Sequence, residues 1–197
     1  MTGTTLAYSA THAAGSLVDS TRRHDGYTAD HSVRTSVVAR DIATTMGLAP
    51  VVVEQVELAG LLHDIGKIGI PRSVLRKGGG LDQAEASLVR LHPVLGATIL
   101  STITELRILA PLVMHHHERF DGHGYPNGLS GAEIPIESRI ILVADAFDAM
   151  TTDRHYRTAV TEEAAIAEML QCSGRQFDPV VIEALINLRS GESGYAG

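Results

Sequence analysis

The sequence predicts an all-helical domain. Its apolar residues recur at helical spacing, and no segment shows the convincing alternation of a half-buried strand. Of the 197 residues, 44% are hydrophobic, but Trp is absent and only three Phe occur, so we expect a mostly aliphatic core. A chain of this length can bury one compact core. We therefore expect one domain over residues 26–190, an N-terminal tail or short peripheral helix over residues 1–25, and a C-terminal tail over residues 191–197.

The first half of the chain predicts three helices. Helical spacing indicates one at residues 31–46, followed by glycine and proline, with an apolar face formed by Val33, Val37, Val38, Ile42 and Met46. A second is expected from residue 51 to residue 63 or 64, and the basic, Gly-rich residues 76–80 are expected to form a loop. A third begins at Asp82, whose carboxylate can cap the helix while Glu85 completes a capping box.

The second half predicts further helices separated by one conspicuous loop. One helical face is formed by Leu106, Leu109, Leu112, Val113 and His116. Residues 121–131 contain four glycines and a proline and are expected to form a loop. A strongly apolar helix follows at residues 140–150, and Thr161 is expected to cap another. The Asp-Pro pair at residues 178–179 supplies a cap and a first-turn proline for a last helix through Leu188.

Charge and cysteine content exclude several classes of function. The net charge of −7 argues against binding along polymeric nucleic acid, which usually requires a basic face. Cys172 is the single cysteine, so neither an intrachain disulfide nor the cysteine spacing of a structural zinc site is possible. No apolar run approaches the roughly 18–20 residues of a membrane span, and no signal peptide is recognisable. We expect a soluble, cytoplasmic protein that does not contact membranes.

Histidines and acidic residues cluster along the chain. The sequence has ten histidines. One of them, His63, is followed directly by Asp64, and three are consecutive at residues 115–117. Asp145 lies within a segment expected to be an apolar helix. Burying an ionised Asp145 would be costly unless a cation or strong donors offset its charge; a hydrogen bond between packed helices is the alternative. Because the two oxygens of Asp64 can bridge two cations, the pattern favours a dinuclear metal site.

The histidine triplet cannot act as a unit on a regular helix. Successive side chains are about 100° apart around a helix axis, so three consecutive rings do not point at one place. Unless the helix unwinds, at least one of the three histidines at residues 115–117 is a bystander.

Six ordered blocks of this sequence resemble the HD-GYP family of the HD superfamily, and the likeness runs from about residue 27 to residue 188. The blocks are YTADHS (27–32), LHDIGKIGIP (62–71), His92 with Gly96, HHERFDGHGYP (116–126), ADAFDAMT (144–151) and DRHYR (153–157). A lone His-Asp pair would be weak evidence, but six blocks in order are specific. The resemblance implies a five-helix HD core with additional C-terminal helices, over the domain expected at residues 26–190.

The resemblance also implies two metal ions and their ligands. One ion is surrounded by His31, His63, Asp64 and Asp145. The other is surrounded by His92, His116 and His117, with Asp64 bridging. Some family members add a third metal through a Glu four residues before the first ligand histidine, but that position is Tyr27, a poor ligand. Family resemblance points to iron or manganese, and mixed His and carboxylate ligation also suits zinc, cobalt or nickel.

The reaction implied by the resemblance is hydrolysis of a phosphodiester bond in cyclic di-GMP. Two divalent metals about 3.5–4 Å apart can lower the pKa of a bridging water to form hydroxide for in-line attack. The product is linear pGpG, or GMP after a second cleavage. Asp64 and Lys67 are the expected catalytic residues, with the Lys67 cation on the phosphate as negative charge builds. A solvated surface lysine is the alternative for Lys67.

Further residues are assigned to substrate binding and to orienting the site. Tyr125, in the GYP loop at residues 121–126, is expected to meet the ligand through its ring or hydroxyl. By resemblance, Arg154 and Arg157 contact the other phosphate or a guanine edge, since guanidinium groups bind phosphate bidentately. Surface ion pairs are the alternative for both arginines. Asp148 is expected to orient a ligand histidine or a lysine, not to bind metal itself.

Two other functions stay open at this point. The chain could be an HD phosphohydrolase that acts on mononucleotides or on cyclic GMP-AMP, or a noncatalytic module that binds cyclic di-GMP or a partner protein. A regulatory protein docked at the GYP loop and a second copy in a homodimer are further partners to test. The loop at residues 76–81 departs from the family's Lys-Pro-Gly-Lys-Leu pattern, and because glycines free its backbone we expect substrate access to differ.

Overall fold

The computed structural model describes residues 2–153 and 158–191, and over these residues the prediction of an all-α fold is confirmed, because they form no β-strand. The α-helices of this part are α1 (Thr2–His24), α2 (Gly26–Thr45), α3 (Pro50–Leu62), α4 (Arg72–Leu75), α5 (Gln83–Val89), α6 (His92–Ser101), α7 (Ala110–Met114), α8 (Ile136–Thr151), α9 (Glu162–Gln171) and α10 (Pro179–Ser190). Short 3-10 helices lie at Ile65–Gly69, Arg107–Leu109 and Gly131–Glu133. None of the described helices is both long and apolar enough to cross a bilayer.

Helix α2 lies at the centre of the bundle and packs against α1, α3, α8 and α10. Its buried face is built largely from small and polar side chains, among them Ala29, Ser32, Thr35, Ser36 and Ala39. This permits a close approach, since a Cβ added to Gly60 of α3 would lie 3.2 Å from the Cα of Ser36. The predicted apolar face is therefore wrong in part: Ile42 is buried, but Val33 and Val37 are each 39% exposed on the outer side.

Two clusters of mostly aliphatic side chains form the core. One joins α2, α3, α8, α9 and α10 through residues that include Ile42, Val56, Val143, Phe147, Met169 and Ile182. The other joins α1, α3, α6 and α7 through residues that include Leu62, Leu100, Leu109 and Val113. Helix α8 contributes to both, with Leu142 in the first cluster and Ile141 in the second. It is consequently buried on most of its circumference, which explains its apolar sequence.

The N-terminal segment is a long helix that packs on the domain. Ala10 and Ala14 of α1 are buried in the second cluster, and Arg72 of α4 donates a hydrogen bond of 2.8 Å to the carbonyl oxygen of Arg23. Residues 2–24 are thus helical and tied to the bundle, in place of the tail or short peripheral helix expected there. The domain boundary at residue 26 stays a prediction, and residues 192–197 of the expected C-terminal tail lie outside the described residues.

Most helix ends agree with the sequence, with one break that the periodicity missed. The Asp82 capping box and the Thr161 and Asp178 caps are all formed, each with a side-chain oxygen that accepts a first-turn N–H. The single helical face expected up to His116 is wrong, because Arg107–Leu109 is a 3-10 turn and α7 ends at Met114. Pro111 in the first turn of α7 lacks the N–H needed to continue the preceding turn as one helix.

Candidate metal centre

Seven predicted metal ligands converge from distant parts of the chain. His31 lies on α2 and Asp145 on α8, while the other five stand at helix ends: His63, Asp64, His92, His116 and His117. The close approach of the Ile65–Gly69 turn to α6 requires Gly66, since a Cβ there would lie 1.9 Å from the carbonyl oxygen of His92. Because α7 ends at Met114, the chain at residues 115–117 is no longer a regular helix. Two adjacent histidines can therefore face the same site.

The ligand atoms form two groups that meet at Asp64. Donor atoms of His31, His63 and Asp64 lie within 4.8 Å of one another, and so do those of His92, His116 and His117. Asp64 Oδ2 lies 3.4 Å from His63 Nε2, and Asp64 Oδ1 lies 3.3 Å from His92 Nε2. One oxygen of this carboxylate therefore faces each group, which is the arrangement a bridging ligand needs.

Asp145 and Asp148 hold His31 from opposite sides of its ring. Asp145 Oδ1 lies 2.9 Å from His31 Nε2, on the side of the first ligand group. Asp148 Oδ2 lies 2.6 Å from His31 Nδ1, and Arg34 donates to both Asp148 oxygens at 2.7 and 3.1 Å. The carboxylate of Asp148 is thus positioned to orient the imidazole and leave Nε2 facing the site.

Three other histidines are oriented by backbone carbonyl groups. The Nδ1 atoms of His63, His92 and His116 each lie 2.6–2.8 Å from the carbonyl oxygen of the residue three positions earlier. A carbonyl oxygen only accepts, so Nδ1 carries the proton and Nε2 of a neutral ring carries a lone pair. His92 Nε2 and His116 Nε2 are nevertheless 3.2 Å apart in a buried site. A cation shared by the two nitrogens would satisfy both lone pairs, so these residues fit a metal ion.

The protonation states of the second ligand group suit metal binding. Burial, with neighbouring positive charge, lowers the pKa of His116 well below its usual range. Burial also lowers the pKa of His92 to about 3 and that of His117 to about 4, although nearby carboxylates act in the opposite direction. These rings are neutral at pH 7, which is the form that coordinates metals.

The carboxylates of the site are ionised, although Asp64 is buried and Asp145 is partly buried. Burial alone would raise the pKa of Asp64, but the charge of Lys67 and the contact with His63 hold it well below its usual range. The pKa of Asp145 is likewise lowered, chiefly by its hydrogen bond to His31. His31 behaves differently, because its two carboxylate partners outweigh burial and raise its pKa to about 9. Five imidazoles and two ionised carboxylates fit a pair of divalent cations such as iron, manganese or zinc.

A cavity of about 780 Å³ opens onto this centre. Its lining includes the ligand residues His31, Asp64, His117 and Asp145, together with Lys67, Asp25, Gly26, Tyr27, Thr28, Leu75, Arg76 and Ala149. Lys67 Nζ lies 2.6 Å from Asp64 Oδ2, so the predicted catalytic lysine contacts the carboxylate that was predicted to bridge two metal ions. Its ammonium group therefore lies within the cavity wall beside the candidate metal ligands.

Tyr125 of the GYP loop contacts His117, one of the predicted metal ligands. Its ring stacks on that of His117, with 4.9 Å between centroids, and the Arg90 guanidinium lies 5.4 Å from the centroid of the tyrosine ring. Burial and the charge of Asp145 raise the pKa of Tyr125, so its hydroxyl stays protonated. The loop is held by Glu118, a buried carboxylate that accepts backbone N–H groups from residues 127, 128 and 129.

Other predicted site residues fall outside this arrangement. His115 belongs to neither ligand group, and its Nδ1 is buried without a hydrogen-bond partner. Arg154 and Arg157 lie outside the described residues. Sequence reasoning missed Arg34, although it stands three residues after His31 and so on the same side of α2. It also missed Arg90, for which the sequence carries no signal, because its contact with Tyr125 is made only in the folded chain.

Comparison with known proteins identifies relatives over most of the chain. The family model described as HD domain matches residues 16–181. A cyclic di-GMP phosphodiesterase response regulator of Xanthomonas campestris is 43% identical over 168 residues, which cover 84% of this chain and 44% of that protein. A 3'3'-cGAMP-specific phosphodiesterase of Vibrio cholerae is 38% identical over 173 residues, covering 88% of this chain and 37% of the relative. The chain thus spans less than half the length of these curated relatives.

A solved structure agrees in fold. It is that of an HDG"Y"P protein from Bdellovibrio bacteriovorus, with a TM-score of 0.68 and 21% sequence identity, covering 83% of this chain and 52% of that one. HD-domain membership implies a site for divalent metal, and the His and Asp groups described above supply one. The chain belongs to the HD domain family and, through its ordered motifs and its relatives, to the HD-GYP group within it.

Proposed function

We propose that this chain is a metal-dependent phosphodiesterase that hydrolyses cyclic di-GMP. The observation that carries the proposal is the position of Asp64, with one carboxylate oxygen toward each of two buried ligand groups at the floor of a cavity. The relative from Xanthomonas campestris, named as a cyclic di-GMP phosphodiesterase, supports the substrate. The products are linear pGpG and, after a second cleavage, GMP.

The metal ligands are assigned in two sets. His31, His63, Asp64 and Asp145 hold one divalent ion, and His92, His116, His117 and Asp64 hold the other. Two such ions, when bound, supply a deprotonated water for in-line attack and polarise a phosphate oxygen. We assign iron or manganese, with zinc, cobalt and nickel as ions the same donors accept.

The protein's own contribution is orientation and charge. Asp148 orients the ring of His31, and backbone carbonyl groups orient the rings of three other proposed ligands before ions bind. Lys67 lies at the bridging carboxylate and lines the cavity, where its ammonium can donate to a phosphate oxygen as negative charge develops.

Substrate contacts are assigned to three further residues. Tyr125 stacks on the ring of His117, and we assign its ring or hydroxyl to the dinucleotide on the basis of the sequence motif. Arg154 and Arg157, in the segment outside the described residues, are assigned to the second phosphate or a guanine edge on the basis of the sequence motif alone.

The test is anaerobic purification, elemental analysis and a turnover assay with cyclic di-GMP, comparing the unsubstituted chain with Asp64→Asn. We expect two metals per chain and linear product, with both lost in the variant because an amide cannot bridge as a carboxylate does. Asp41→Asn, at a half-exposed carboxylate paired with Arg40, is the matched control and should leave both unchanged. Binding without turnover under every metal condition would overturn the proposal in favour of a noncatalytic module.

Cyclic GMP-AMP is the second candidate substrate. The Vibrio cholerae relative named as specific for it aligns with 88% of this chain. Turnover of the two cyclic dinucleotides in one reaction would measure the ratio of their kcat/KM values directly. If the ratio favours cyclic GMP-AMP, that dinucleotide becomes the proposed substrate. The proposed metal chemistry is the same for both.

The proposal includes two protein contacts. The GYP loop, residues 121–126, carries His123 with a side chain that is 83% exposed, and we assign this loop as the docking point for a regulatory protein. A homodimer is the second assignment, and light scattering on the purified chain tests it.

A further inference from the structure

We propose that a second cavity beside the metal centre binds the nucleotide unit of the cyclic dinucleotide that is not being cleaved; this inference rests on the proposed function. The second cavity has a volume of about 560 Å³. It is formed by α4, the glycine-rich loop that follows it, and the last residue of α5. Lys67 and Leu75 line both cavities, so the two spaces adjoin across these side chains.

The two cavities differ in their charged residues. Asp25, Asp64 and Asp145 line the first cavity together with Lys67 and Arg76. Among the described residues, those lining the second include two lysines, Lys67 and Lys77, and no carboxylate. These are the only two lysines in the whole sequence, in a chain whose net charge is −7. A second phosphate group can therefore pair with these ammonium groups in a cavity whose described lining contains no carboxylate to repel it.

The remaining lining suits a nucleobase. Val74, Leu75, Leu81 and Val89 supply apolar side chains, and the backbone of residues 78–80 completes the lining. Apolar walls with a few placed polar groups are the usual composition of a small-molecule site. The flat face of a purine can pack against these side chains while its phosphate lies near the lysines.

Lys77 lines this cavity and forms an ion pair that a phosphate group can replace. Its Nζ lies 2.6 Å from Glu85 Oε2, the same oxygen that accepts the N–H of Asp82 in the capping box of α5. The ion pair is partly exposed, with the lysine side chain 38% exposed, and such pairs contribute little stability. A phosphate can therefore replace Glu85 as the partner of the Lys77 ammonium group with little loss of stability. The capping hydrogen bond from Asp82 keeps Glu85 in place.

The two lysines therefore have different roles, Lys67 in catalysis and Lys77 in substrate binding. Lys67, shared by both cavities, stands at the cleaved phosphate, and Lys77 stands at the other one. Loss of Lys77 should therefore weaken binding of a cyclic dinucleotide and leave the chemistry at the metal centre intact. A small diester that occupies only the first cavity should not be affected.

The experiment measures kcat and KM of the metal-loaded protein for cyclic di-GMP and for bis(p-nitrophenyl) phosphate. Lys77→Met removes the charge and keeps the apolar stem, and Lys77→Arg restores the charge. With Lys77→Met we expect KM for cyclic di-GMP to rise about tenfold, as for loss of a hydrogen bond to a charged group, with kcat within about twofold. Both constants for the small diester should stay unchanged, and Lys77→Arg should recover most of the affinity.

Arg107→Met is the matched control, because it removes one exposed positive charge and lines neither cavity. An unchanged KM for cyclic di-GMP in Lys77→Met would overturn the inference and leave the proposed function standing. Equal losses on both substrates would also overturn it, since they would place the effect at the metal centre. If the unsubstituted protein cleaved only the small diester, the proposed function would fail, and the inference would fail with it.

Discussion

Replacing Glu118 with glutamine should destabilise the protein by about 2–4 kcal/mol and impair the site without removing a ligand. Glu118 is 1% exposed, and its two oxygens accept the backbone N–H groups of Asn127, Gly128 and Leu129 at 2.7, 3.1 and 3.2 Å. These bonds close the loop that carries Tyr125 onto the chain after α7. The carboxylate thus holds in place the loop whose Tyr125 stacks on His117.

The magnitude follows from the change in hydrogen-bonding groups. Oε1 accepts one N–H and Oε2 accepts two, so the amide of glutamine leaves at least one backbone N–H of Asn127, Gly128 or Leu129 facing an NH₂ group. A buried donor without an acceptor costs about 1–3 kcal/mol, and the remaining bonds lose the strengthening that comes from the negative charge. The sum is about 2–4 kcal/mol.

Urea unfolding followed by circular dichroism, with metal removed by chelation, measures this loss directly. Glu133→Gln is the matched control, because Glu133 also accepts a backbone N–H, from Ser130 at 3.0 Å, but at an exposed cap. We expect it to cost about 0.5–1 kcal/mol. We also expect Glu118→Gln to lower turnover, since Tyr125 stacks on His117 and donates its N–H to the carbonyl of that residue. If the two variants lost equal stability, the reasoning from burial would be refuted.

Three other predictions concern the metal site and its support. Asp148→Asn should weaken metal binding about 10- to 100-fold, because an amide orients the His31 ring less firmly than a carboxylate. Metal titration measures this affinity, and an unchanged value would contradict the reasoning. In the metal-free protein burial lowers the pKa of His31, but its two carboxylate partners raise it to about 9, so a metal must displace this proton below that pH. Metal affinity should therefore rise about tenfold per pH unit from pH 7 toward 9, and an affinity independent of pH would contradict the assignment. Gly66→Ala should destabilise the fold by more than about 3 kcal/mol, since its Cβ would lie 1.9 Å from the His92 carbonyl oxygen. Thermal unfolding measures this loss. Gly79→Ala is the control and should have little effect, because open space surrounds Gly79.

Features that depend on neighbours in sequence were predicted well. The Asp82 capping box and the Thr161 and Asp178 caps each involve residues at most three positions apart, so the sequence contains all the participants. The sequence argument that one histidine of the triplet is a bystander assumed a regular helix, whereas residues 115–117 follow the end of α7 as turns. The structure leaves His115 out of both ligand groups.

Features that depend on distant contacts were predicted less well. Helix α2 buries small residues and exposes Val33 and Val37, because the choice of face is made by α3 and α8 packing on it. The N-terminal segment was expected to be a tail or a short peripheral helix, but Ala10 and Ala14 are buried where the rest of the bundle offers an apolar surface. Small side chains give a weak signal in a hydrophobicity pattern even when they are fully packed.

The sequence by itself determined the helical class, most helix ends, the chemistry of the candidate ligands and the family, because residue types and short spacings carry that information. Only the tertiary structure decided how the ligands are shared. His31 and Asp148 are 117 positions apart yet 2.6 Å from each other, and Asp64 turns one oxygen to each histidine group. The tertiary structure also placed Lys67 and Lys77 around one cavity. These relations arise when separate helices pack, and the free energy that sets them comes from burial and contacts across the whole chain.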